Sequence, residues 1–196
     1  MFDKLLGRGT NKPTWPKHIV EDLPSIRQNL SYPFRWRTIF PLLLGLTVIL
    51  FIVPVVLSLT LGDTPLAPLI NVFIWISVGI SILGWTAAIY QYRKSLVFTA
   101  VANPGTANQQ LQTIQQFFAT RGIMVLAHPE TENIQYVVSK PVKEGSQERE
   151  VVILIADNNR ILINSHFSGK GLNLALNQRT YQGLVTAMEE FIAKKG

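Results

Sequence analysis

Two long stretches of the chain are hydrophobic and uncharged. The first runs from Ile39 to Leu61, IFPLLLGLTVILFIVPVVLSLTL, and the second from Leu69 to Tyr90, LINVFIWISVGISILGWTAAIY. At about 1.5 Å per residue, a helix over the first run is about 34 Å long and matches a hydrocarbon layer of about 30 Å. The pattern predicts two transmembrane helices, 39–61 and 69–90. Pro41, in the first turn of one, and Pro68, just before the other, stand where a missing N–H costs little. Pro54 falls inside the first run and should kink it. A cleaved signal peptide does not fit, because the first run starts late, is too long and is followed by a second.

Residues 62–68, GDTPLAP, can only reverse the chain, so the two runs should form an antiparallel hairpin. Arg35 and Arg37 precede it, Arg93 and Lys94 follow it, and the turn has no basic residue. The expected orientation has both termini in the cytoplasm and the turn outside. Tyr32, Phe34, Trp36, Tyr90 and Tyr92 gather at the same end, where amphipathic rings favour the headgroup level. The expected interface residues are therefore Arg35, Trp36, Arg37, Tyr90, Tyr92, Arg93 and Lys94. Ser77, Ser81, Gly84 and Ala88 form a face of small residues on the second run. Such a face serves as the seam within the hairpin or as a surface for another membrane protein. Neither run has a central ionisable residue, which argues against an ion or proton pathway.

The segment 1–38 is broken early by Gly7, Gly9, Pro13 and Pro16. Ile19, Leu23, Ile26 and Leu30 then make one apolar stripe, with Pro24 disfavouring a helix beyond its first turn. With Trp15, Lys17 and Arg27 the stripe suits a bilayer surface, and it suits docking on a domain or a partner equally.

Residues 95–196 read as one α+β domain. Ser95–Ala102 is a strand, and Asn103-Pro104-Gly105-Thr106 turns into a helix with Leu111, Ile114, Phe117 and Phe118 on one face. Gly122 ends that helix. Ile123–Ala127 is a second strand. Ile134, Tyr136 and Val138 alternate with Gln135 and Ser139, which predicts a third strand with one wet face. Glu150–Ala156 is a central strand, Asp157-Asn158-Asn159 a tight turn and Arg160–Phe167 a fifth strand. A last helix, capped by Asn177 or Thr180, buries Leu184, Val185, Met188, Phe191 and Ile192 and carries Lys194 and Lys195 at its end. The order β-α-β-β-β-β-α with hairpin links predicts an antiparallel sheet with helices packed on one face. This element order is similar to that of one half of the TATA-binding protein fold. The resemblance is one of topology and implies no function, since no motif here supports DNA binding.

Charge adds little to a nucleic-acid reading. The chain has a net charge of +6, but residues 1–38 hold seven basic and three acidic groups, and residues 95–196 nine and eight. The excess flanks the apolar runs, as expected of a membrane protein, and no concentrated basic face is offered to phosphates. The absence of cysteine excludes disulfides and thiolate chemistry.

The densest group of polar residues is Asn164-Ser165-His166-Phe167-Ser168-Gly169-Lys170-Gly171. His166, Ser168, Gly169, Lys170 and Gly171 form a candidate anion or small-ligand site, without the spacing of a phosphate-binding loop. His128 and His166 both lie at strand ends, but spacing reveals no third metal ligand. Glu144, Glu148 and Glu150 beside Lys143 and Arg149 read as a solvated charge cluster. No nucleophile motif occurs. Catalytic residues, metal and cofactor are each expected to be none.

The sequence thus points to a multi-pass protein of a bacterial inner membrane, or an internal one such as a thylakoid. Its expected role is a membrane-anchored interaction protein, an accessory, assembly or scaffolding subunit of a larger membrane complex and not an enzyme. The expected partners are the lipid bilayer and other subunits, with a homo-oligomer compatible and no nucleic acid. The exposed sheet face and the Ser77–Ala88 face are the expected contacts. A membrane-tethered sensor of a small anion is the alternative, and a membrane-bound enzyme the third reading.

Overall fold

The computed structural model describes residues 18–61, 67–141, 149–167 and 179–195. They divide into two units, one made of residues up to Pro33 together with those from Lys94 onward, the other of Phe34–Arg93. The second unit is therefore an insertion into the first.

The inserted unit is helical. Helix α2 (Trp36–Thr47) passes into a π-helical turn, Val48–Ile52, and then into α3 (Val53–Leu61), without a break in chain; α4 follows at Ala67–Ser95. The π turn lies just before Pro54, which has no N–H to donate, so the expected irregularity takes the form of a wider turn. Because α2 begins at Trp36, Pro41 lies inside it and not in its first turn. By length and composition, Asn71–Ser95 is the one helix among the described residues long and apolar enough to cross a membrane, while Trp36–Ile52 is shorter. Large apolar side chains on these helices point outward, among them Phe40, Ile49, Leu59, Trp75 and Leu83.

The first unit is built on a five-stranded antiparallel sheet in the order β1-β5-β4-β3-β2. The strands are β1 (Thr99–Ala102), β2 (Leu126–His128), β3 (Thr131–Pro141), β4 (Arg149–Asp157) and β5 (Arg160–Phe167). Helices α5 (Ala107–Ala119) and α6 (Arg179–Ala193) complete the expected order. The β4–β5 hairpin turns at Asn158-Asn159, with Asn159 in the left-handed region at φ 60°. Asn177, one of the two expected caps of α6, lies outside the described residues; the other, Thr180, is inside the helix.

Successive residues of a strand face opposite sides. Val152, Leu154 and Ala156 of β4 join Ile161 and Ile163 of β5 in a core with Ile114, Phe117 and Phe118 of α5 and Leu184 and Met188 of α6. Val151, Ile153 and Ile155 turn the other way and join Ile134, Tyr136 and Leu162 in a second core. The helix on that second core comes from before the insertion: α1 (Ile19–Asn29) buries Ile19 and Ile26 there, with Val20, Leu23 and Leu30 beside them.

This corrects three expectations. Helices cover both faces of the sheet, not one, so the sheet face expected to be an exposed contact carries α1 instead. For the same reason the middle of β3 is not wet on either face: Ile134 to Val138 are all buried, and Gln135 is only 3% exposed, while Ser139, the other position expected to be wet, lies outside the residues whose burial is described. Pro24 does not stop α1, which continues to Asn29. Burial of a stripe on an apolar sheet outweighs the loss of one helical hydrogen bond.

Beyond α1 the chain is held to the segment that returns from the insertion. Ser31 bridges Val97 in antiparallel fashion. The Tyr32 N–H donates to the Leu96 carbonyl (3.0 Å), and the Phe98 N–H to the Leu30 carbonyl (2.7 Å). The two strands of chain that leave and re-enter this domain are thus fastened side by side.

Candidate functional site

The group expected around His166 is only partly described. Ser168, Gly169, Lys170 and Gly171 lie outside the described residues. His166 is half-buried near the end of β5, opposite Val151 of β4. Asn164, two residues earlier, is 2% exposed and donates from Nδ2 to the carbonyls of Val97 (2.9 Å) and Ser95 (3.2 Å). Its role is structural: it fastens the segment before β1 to β5.

His128 ends β2, three strand positions from β5. At about 4.8 Å between neighbouring strands, the two histidine-bearing strands are about 14 Å apart, too far for one metal ion to bind both rings. The His128 ring instead stacks near Tyr136, centroids 6.0 Å apart, and Nδ1 accepts the Glu130 N–H at 3.1 Å. Among the described residues no three His, Asp or Glu side chains gather into a metal-binding group. Glu150, expected in a solvated cluster, is buried on β4, opposite Phe167. Lys143, Glu144 and Glu148 lie outside the described residues.

The structure reveals a polar clamp that sequence reading missed. Asp157, at the end of β4, takes Nε of Arg160 at 2.9 Å and faces Nε of Arg27 at 3.4 Å. The Arg160 guanidinium also donates to the Arg27 carbonyl at 2.7 Å. One carboxylate thus ties the end of α1 to the β4–β5 turn. Opposite-charge residues three apart across a tight turn, Asp157 and Arg160, were the available signal. Arg27 is 133 positions away in sequence and offered none.

The other side of the same turn fixes the start of α5. The Gly105 N–H donates to Oδ1 of Asn159 (3.1 Å), and the Ala107 N–H to Oδ1 of Asn158 (3.2 Å). Thr106 and Gln109 form a capping box. Gly105 has φ 143°, and a Cβ there would stand 2.5 Å from Oε1 of Gln109, so only glycine suits both the backbone and the cap. Buried Gln110 exchanges hydrogen bonds with Asn103, 2.6 Å in each direction. An open cleft of ≈ 430 Å³ lies here, lined by Asn103, Pro104, Gln109, Gln112, Thr113, Ile192 and Lys195. The first-turn N–H groups of α5 named above are already satisfied by the chain, so they do not offer themselves to an anion.

No family model, curated protein or solved structure matches the chain.

In the helical unit, Ser77 is buried and its carbonyl accepts the Ser81 hydroxyl at 2.8 Å. A Cβ on Gly84 would come within 2.9 Å of Cδ2 of Leu46, so at this point the small-residue face meets α2. Ala88 is half-buried on the same stripe. At the other end of the unit, Phe34 packs on Trp36 (centroids 5.0 Å) and Tyr92 (5.3 Å), and the Arg93 guanidinium lies 5.2 Å over the Phe34 ring.

Burial pushes the Tyr32 hydroxyl well above the usual phenol range, and Tyr136 and Asp22 add to the rise. That hydroxyl has no hydrogen-bond partner among the described residues. Burial likewise raises Tyr136.

Proposed function

We propose that this chain is a membrane-anchored interaction protein, an accessory, assembly or scaffolding subunit of a larger complex in a bacterial inner or internal membrane. The single observation that carries the reading is the place of α1. It precedes the helical insertion, yet packs in one core with strands that follow it. A domain that folds as one body lies on one side of a membrane. An insertion that leaves and re-enters that domain must cross an even number of times. Helix α4 has the length and composition to cross once. The run Trp36–Leu61, continuous through its π turn, supplies the second crossing. Arg35, Arg37, Arg93 and Lys94 at the domain end favour a cytoplasmic domain.

Several observations support an interaction role. The two cores of the domain are filled with apolar side chains, which suits a rigid platform. The sheet ends in two short strands, β1 and β2, each paired on one side in the sheet order. A partner peptide in extended form can add to such an edge. Purification of the full chain in mild detergent at native expression level, with mass spectrometry of what accompanies it, tests the role. Stoichiometric membrane subunits are expected; the chain alone would refute the subunit reading.

The polar cleft beside α5 favours a second reading, a sensor of a small ligand. Gln112 lines the cleft, together with Lys195, whose Nζ also donates to Gln116 at 2.6 Å, and these groups suit hydrogen bonds to a compact polar molecule. Thermal stabilisation by one metabolite, lost in Gln112→Leu, would favour it over the subunit reading.

A further inference from the structure

We propose that the Phe34 end of the helical unit binds the phosphate groups of anionic phospholipids and so gives the protein a preference for acidic lipid. The proposal rests on the reading of this unit as a membrane hairpin. Four basic residues, Arg35, Arg37, Arg93 and Lys94, flank the apolar helices in sequence, and residues 34–95 contain one acidic residue, Asp63. Within this segment no carboxylate is a sequence neighbour of Arg37 or Arg93.

The aromatic packing gives the Arg93 charge a defined position. Phe34 is wedged against Trp36, on the first helix, and Tyr92, on the second. The Arg93 guanidinium rests on the Phe34 face, and both Arg37 and Arg93 are exposed. A guanidinium held against a ring face leaves its in-plane N–H groups able to meet an oxygen pair, as in bidentate recognition of phosphate. Trp36 and Tyr90 are exposed beside these residues in sequence, with polar atoms suited to the headgroup layer. An apolar collar below and a fixed positive charge above match the acyl–phosphate boundary of a negatively charged leaflet.

The test uses the full chain in phosphatidylcholine vesicles carrying a small fraction of spin-labelled phosphatidylglycerol or spin-labelled phosphatidylcholine. Electron paramagnetic resonance reads how much of each lipid is held at the protein. A several-fold preference for phosphatidylglycerol is expected, falling with salt. R37Q/R93Q should abolish most of it, and R37K/R93K should keep a good part, which separates lost charge from a damaged fold. Equal retention of the two lipids by the native chain, or an undiminished preference in R37Q/R93Q, would overturn the proposal. Displacement by excess soluble glycerol phosphate would assign the site to free phosphate and overturn it too. An alkaline wash that strips the chain from the vesicles would instead refute the hairpin itself, a separate failure.

Discussion

Asn164 holds Val97: its side-chain amide donates to the Val97 carbonyl at 2.9 Å from a position that is 2% exposed, and to Ser95 at 3.2 Å. The bond ties the segment that returns from the helical insertion to β5, the strand beside the edge strand β1. Leucine, nearly isosteric, would leave buried carbonyls without this donor. Asn164→Leu should destabilise the domain by about 1–3 kcal/mol, and Asn164→Asp by more, because a carboxylate would face two carbonyl oxygens. Denaturant midpoints of the three proteins check this.

Asp157 is the hub of the clamp on α1. Asp157→Ala leaves Arg160 and Arg27 without their shared carboxylate. Both arginines are partly exposed, so water screens the loss, and about 1 kcal/mol is expected. Hydrogen exchange should locate it. The amides of α1 should exchange faster, and those of central β4 should keep their protection.

The position of α1 shows what the sequence could and could not convey. Its stripe Ile19, Leu23, Ile26, Leu30 was visible, but a stripe states only that something apolar lies opposite. The bilayer surface and the sheet fit it equally. Likewise Gln135 looked wet because polar residues alternated with Ile134 and Tyr136, whereas cover on both faces was decided by a helix more than a hundred positions away. Elements set by local periodicity and turn chemistry were legible: the strand order along the chain, the apolar faces of α5 and α6, and β5 to its end residues. The candidate site was less so. Asn164 stood inside a polar group suggestive of a ligand, and its partners, Ser95 and Val97, are distant in sequence. The Asp157–Arg27 pair was hidden for the same reason.

Gly84 offers a test of how the helices meet. A Cβ there stands 2.9 Å from Cδ2 of Leu46, the far end of a flexible side chain. Gly84→Ala should be tolerated within about 1 kcal/mol, whereas Gly84→Ile should cost about 1–3 kcal/mol by overpacking. Leu46→Ala in the same chain should recover part of that loss. Thermal unfolding in detergent reads the difference.

Tyr32 sets an alkaline limit. Its folded pKa is raised, chiefly by burial and further by Tyr136 and Asp22, above the unfolded value of about 10. Above that pH the unfolded chain gives up a proton that the folded chain keeps. The folded state then binds more protons, and stability falls as pH rises. The contribution is fully present below pH about 10 and is lost through the alkaline range above it. Tyr32→Phe should flatten this decline. At neutral pH it should leave stability unchanged or raise it by about 1 kcal/mol, since the buried hydroxyl has no partner among the described residues. Denaturation midpoints from pH 7 to 11 check both statements.

The central claim is that one domain, interrupted by a membrane hairpin, stands on one side of the bilayer. The chain has no cysteine, so single cysteines report cleanly. Gln28→Cys on α1, Glu132→Cys on β3 and Thr64→Cys in the turn should be tested in intact cells with a thiol reagent that does not cross the membrane. The account predicts labelling at position 64 alone, with 28 and 132 reached only after the membrane is opened. Labelling of 28 and 132 from opposite sides, or of 64 from the same side as both, would contradict it.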